Sequence, residues 1–167
     1  MSTKKIKLKP KQKEKLLRNI WLAHDVRWLL KSAKEFGFDA ATKLNLAVQK
    51  SIAKTEIKQL LVETGYGEVK NIEDLKALME IILRLYTPED NKNEVKVMDK
   101  NMIVLYTWNC YVHKMVSKAG NTDIHQCSAR ERCSSWLKGM VINGEVINEK
   151  NINNCKGACE IIFKIKW

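Results

Sequence analysis

A chain of 167 residues with 45 % apolar and 29 % charged side chains can build one domain around a real core, and with 2 Pro and 7 Gly it is neither collagen-like nor a disordered low-complexity polymer. Its formal charge of +11 is placed unevenly, since Lys4, Lys5, Lys7, Lys9, Lys11, Lys13, Lys15 and Arg18 face only Glu14. Residues 1–15 therefore read as a basic flexible arm ahead of a single domain over 16–167. The pattern argues against nucleic acid as a partner, because no aromatic or Gly-rich RNA-binding signature accompanies the arm.

In chain order, apolar residues from Lys11 to Phe36 cover more than one stripe, which predicts a helix buried on most sides and stopped by Gly37. Asp39 can cap a second helix that ends at Thr64-Gly65. Leu75, Leu78, Ile82 and Leu85 predict a third, from Ile72 to Tyr86, closed by Thr87-Pro88. The period then changes. Segments 94–98 and 102–108 read as a hairpin around Asp99-Lys100-Asn101, and Cys110 to Ala119 as a short helix. Ser128 and Glu131 have capping-box spacing ahead of a helix running to Lys138. A turn is expected at Asn143-Gly144 between extended segments, and Cys159 to Trp167 alternates as a last strand. The fold class is α+β, a helical N-terminal half packed on a small antiparallel sheet with cysteine-bearing loops.

No apolar run reaches membrane-spanning length, the longest uncharged stretch being Asn101 to Val112, and no secretory signal follows Met1. The expected setting is the cytoplasm without membrane association. In that reducing compartment the five cysteines, all in the last 58 residues, are expected as thiolates or buried thiols rather than disulfides. Cys155 and Cys159 flank a glycine, Cys127 precedes a helix whose N-terminus favours thiolate, and Cys110 stands where a strand turns into a helix. Cys110, Cys127, Cys155 and Cys159 are thus a candidate metal set for zinc, with iron or an iron–sulfur cluster as alternatives. His113 and His125 are reserve ligands, while Cys133 reads as structural. Each cysteine alone could equally be a small core residue.

A second cluster is His24-Asp25 between Trp21 and Trp28. Both ionisable groups are expected to meet apolar surroundings, so they are either satisfied core groups or candidate catalytic residues. Asn45, Gln49 and Glu56 form a polar row that either faces the same cavity or is the solvent side of its helix. Trp21, Trp28, Trp108 and Trp136 are the expected pocket walls.

The segment Arg18 to Trp28, with Phe36-Gly37, Leu44-Asn45, Trp108-Asn109-Cys110, Cys127, Arg132, Trp136 and the final cysteine pair, resembles the L-2-amino-thiazoline-4-carboxylic acid hydrolase-like family of small prokaryotic cytosolic proteins. The closing cysteines before a strand are also similar to the 4-vinyl reductase domain. The resemblance implies a small-molecule-binding protein with a cysteine-ligated metal site, acting as a hydrolase on a C–N bond of a small heterocycle. In that case His24 or Asp25 would move the proton. The alternative is a non-catalytic ligand- or redox-sensing module of the 4-vinyl reductase type, and a homodimer is compatible with either.

Overall fold

A computed structural model describes residues 7–122, 125–148 and 155–167. Helices α1 (Pro10–Phe36) and α2 (Phe38–Thr64) are joined by Gly37 alone, whose φ of 83° is open to a residue without a side chain. They fold back on each other, and Gln49 meets Asp25 across the hairpin at positions placed symmetrically about Gly37. The helix begins at Pro10, so residues 10–15, expected within the flexible arm, belong to α1. Glycine, not Asp39, occupies the N-cap of α2.

Helix α3 (Ile72–Tyr86) carries the clearest apolar stripe, with Leu75, Leu78, Met79 and Ile82 almost fully buried. Asn71 caps it by accepting from the Asp74 amide at 2.9 Å. Arg18 of α1, itself buried, donates to the Arg84 carbonyl at 2.6 Å and so satisfies a free acceptor in the last turn of α3. One of the eight N-terminal cations is therefore a structural strut.

Strands β1 (Lys92–Asp99), β2 (Met102–Trp108), β3 (Asn143–Asn148) and β4 (Cys159–Lys166) form an antiparallel sheet in the order β1-β2-β4-β3. The expected hairpin is β1-β2. The turn expected at Asn143-Gly144 is absent, because both residues pair with β4 as part of β3. Between the hairpin and β3 lie α4 (Tyr111–Lys118) and α5 (Ala129–Gly139). Ser128 is the N-cap of α5 but makes no side-chain cap bond, and Glu131 instead pairs with Lys50 of α2 at 3.0 Å.

Apolar residues of α3, of α5 and of the inner edge of α2 close over the sheet, with Ile57, Ile103 and Phe163 at 0 % exposure. Each such side chain is worth about 1.5–3 kcal/mol on burial. Helix α1 is not buried on most sides. Leu16, Leu17, Ile20 and Trp28 stand exposed, while Val26 and Ala33 carry its inward contact. The architecture is α+β, as expected, and no described helix is long and apolar enough to cross a membrane.

Candidate functional site

A cavity of about 200 Å³ lies where α1, α2, the end of α3, β2, β4 and the cysteine-bearing segments meet. Leu22, Val26, Leu29, Leu105 and Ile161 give it an apolar wall, and Trp136 closes one side. All five cysteines line it.

Local pairing explains how distant thiols converge. Sheet register sets Cys159 opposite Thr107, and Asn109, at a left-handed φ of 57°, turns the chain directly after β2 to present Cys110. The Cys110 amide donates to the Gly157 carbonyl at 2.9 Å, which ties the segment around Cys155 to the start of α4. A Cβ at Gly157 would lie 3.2 Å from His113 Nδ1, so a side chain there would crowd that imidazole. Cys127 arrives from the chain leading into α5.

Thiolate is not the favoured form of most of these sulfurs. Burial pushes the Cys127 thiol up, outweighing the Ala129 amide that accompanies the start of α5. Burial likewise raises Cys110 and the fully enclosed Cys133. Cys159 rises to about 12, first through burial and then through its neighbours Cys127, Cys110 and Cys155. The dipole expectation for Cys127 is thus overturned by desolvation. His125 lines the same cavity and is pushed down, mainly by burial and secondly by the charge of His113, which keeps it neutral near pH 7.

For a resident metal the donor type fits, since thiols from separate connections share one cavity. Among the described residues, however, no three His, Cys, Asp or Glu side chains are grouped to hold an ion.

Opposite the thiols runs a polar chain. Arg132 of α5 donates from Nε to Glu56 at 3.2 Å and from a terminal nitrogen to Gln49 Oε1 at 3.2 Å, with its other terminal nitrogen also on Glu56. Trp136 Nε1 donates to Glu56 at 2.9 Å. Gln49 passes its own amide to Asp25 at 3.4 Å. The guanidinium lies 5.7 Å from the Trp21 and Trp136 rings and 5.8 Å from that of Tyr86, so aromatic faces shield it.

Of the polar row on α2, Gln49 and Glu56 are buried, and Asn45 and Gln49 line the cavity. The cavity-facing alternative holds. Asp25 faces the cavity beside Leu22 and Leu29, as its helical position predicts. His24 does not; it is exposed on the outer face of α1. Only Trp136 of the four tryptophans lines the wall. Trp21 packs edge-on against Tyr86 at 5.9 Å, Trp28 stands 60 % exposed in a shallow groove with Leu44 and Val48, and Trp108 stacks on Tyr106. Sequence reasoning did not select Arg132 and Glu56 as a pair, and Asn148 was missed. Its Oδ1 is buried at the cavity with no hydrogen-bond partner among the described residues.

A family model described as "Family of unknown function (DUF6125)" matches residues 12–132, a span holding Asp25, Gln49, Glu56, Cys110, Cys127 and Arg132. No curated protein sequence matches the chain. Among solved structures, a trafficking protein particle complex subunit 3 from Naegleria fowleri, covalently bound to palmitic acid, is similar over 94 % of this chain and 97 % of its own at 10 % identity and a TM-score of 0.61. A Tt H-NOX variant aligns over 84 % and 92 % at 10 % identity, with a TM-score of 0.46.

Proposed function

We propose that this chain, which belongs to the DUF6125 family, is a binding module for a small apolar molecule held between α1 and the cysteine-bearing segments. The observation that carries the reading is a cavity with a mostly apolar wall, walled on one side by a satisfied polar chain and on the other by neutral thiols. Such a mixture of apolar surface with a few fixed polar groups is the usual make-up of a ligand site. Its size, about 200 Å³, exceeds the roughly 150 Å³ that accommodates benzene and falls short of the roughly 300–1,000 Å³ of drug-sized sites. A one- or two-ring compound fits that range. The similar fold of a subunit solved covalently bound to palmitic acid, an apolar molecule, supports the reading in kind.

The test uses naphthalene as a neutral probe. Saturable quenching of tryptophan fluorescence and a raised melting temperature are the expected results. Ala158→Trp, which fills the cavity from its wall, should remove both while the far-ultraviolet spectrum stays unchanged. A folded protein that shows no saturable response to naphthalene overturns the proposal.

A second reading, in which Cys110, Cys127, Cys155 and Cys159 hold zinc, is supported by their lining one cavity and requires them to draw closer than the described arrangement, which groups no three ligands. Binding would have to displace the protons that burial retains. Stoichiometric zinc uptake that releases protons and is lost in Cys127→Ser would support it; no uptake under reducing conditions would remove it. Hydrolysis of a heterocyclic C–N bond would need a proton carrier in the cavity, and Asp25 rather than the exposed His24 stands there.

A further inference from the structure

We infer that the ligand of this cavity carries a cationic or N–H-donating group, and that Asp25 is the residue that selects it; the inference rests on the binding-module reading. Arg132 is paired with Glu56, and three of its five N–H donors go to Glu56 and Gln49. Asp25, by contrast, faces the cavity and, among the described residues, accepts a single 3.4 Å bond, from the Gln49 amide. Among the described groups of this polar chain, Asp25 and Glu56 against Arg132 leave one carboxylate more than the guanidinium pairs.

Hydrogen-bonding capacity points the same way. Gln49 has spent its oxygen on Arg132 and its amide on Asp25, so it has little to offer a carboxylate. Asn148 adds a buried Oδ1 acceptor that has no partner among the described residues at the same cavity. A buried acceptor left unmade costs about 1–3 kcal/mol, and a ligand bearing N–H groups can recover that cost at both residues. An anionic ligand would meet Asp25, and the guanidinium among the described lining residues, Arg132, is already paired with Glu56. The selected class is therefore a compact aromatic or aliphatic amine or amidine.

Three isosteric probes decide the matter: naphthalene, 2-naphthylmethylammonium and 2-naphthoate, each titrated calorimetrically near pH 7. The ammonium should bind at least ten-fold more tightly than naphthalene, and the carboxylate more weakly than either. Asp25→Asn should bring the ratio of ammonium to naphthalene affinity down to about one, with an unchanged far-ultraviolet spectrum showing that the variant folds. Asn148→Leu should lower the same ratio several-fold. If naphthalene binds and the ammonium gains nothing, or if its gain survives in Asp25→Asn, the inference is overturned while the cavity reading stands. If none of the three binds to folded protein, the cavity reading falls and takes the inference with it.

Discussion

Glu56 illustrates how one side chain commits the rest of a site. At 3 % exposure it accepts from Arg132 and from Trp136, so α5 is held to α2 by charge-assisted bonds inside the core. Removing one partner strands the other without water. Arg132→Ala should therefore cost about 3–5 kcal/mol, whereas replacing both Glu56 and Arg132 with methionine should cost less than that single change. Urea denaturation of the single and double variants checks the order; a double variant weaker than Arg132→Ala would show that the ion pair is a net contributor. Val141 offers the opposite case. It terminates α5 with a φ of 60° at 93 % exposure, and the bonds from Val141 to Lys138 and from Ile142 to Leu137 form a Schellman close. A β-branched residue in that left-handed position is strained by about 1–2 kcal/mol. Val141→Gly should raise the denaturation midpoint by an equivalent of about 1 kcal/mol, since no packing is lost. Neither pairing nor strain at this scale was legible in the chain: Glu56 and Arg132 are 76 residues apart, and Val141 reads locally as the start of an extended segment.

Elements were more legible than their surroundings. The three long helices follow apolar spacing and glycine or proline stops, and their extents match within a residue or two. What periodicity could not show for α1 was how many neighbours it has. Its apolar surplus suggested burial all round, yet α2 and the cavity occupy one side, and Leu17, Ile20 and Trp28 remain outside. The sheet order was illegible for a different reason, because β4 inserts between β2 and β3 through pairings far apart in sequence. Cys110, Cys127, Cys155 and Cys159 were legible as residues near element junctions and all line the cavity, as does Cys133 from within α5, but their protonation depended on burial that no local pattern reports. Close backbone approach decides how β3 docks. A Cβ at Gly144 would lie 2.7 Å from the Lys164 carbonyl oxygen, closer than the β4 backbone can yield. Gly144→Ala should destabilise the protein by at least 1 kcal/mol, whereas Ile20→Ala on the open face of α1 should stay within about 0.5 kcal/mol. Thermal melts of the two variants side by side provide the check, and equal losses would contradict the placement of both residues.

For the molecule as a whole, the same burial that sets the site sets the dependence of stability on pH. Cys110, Cys127, Cys133 and Cys159 are all raised from an ordinary value of 9.0, Cys159 to about 12. Between those values the unfolded chain has lost protons that the folded chain retains, so unfolding gains free energy as pH rises. Their stabilising contribution is complete below about pH 9 and drains away on the way to pH 12. His125 acts in the other direction. Its folded value lies below 6.5, so the unfolded state binds the extra proton and stability falls as pH drops through that region. The urea midpoint, measured with reductant present, should be highest between about pH 6.5 and 9 and decline on both sides. Cys159→Ser should flatten the alkaline limb, and His125→Asn the acidic one. A midpoint that holds level from pH 8.5 to 11 would mean that the thiols meet water freely in the folded protein. In that event neither an apolar cavity nor a neutral thiol wall could be maintained.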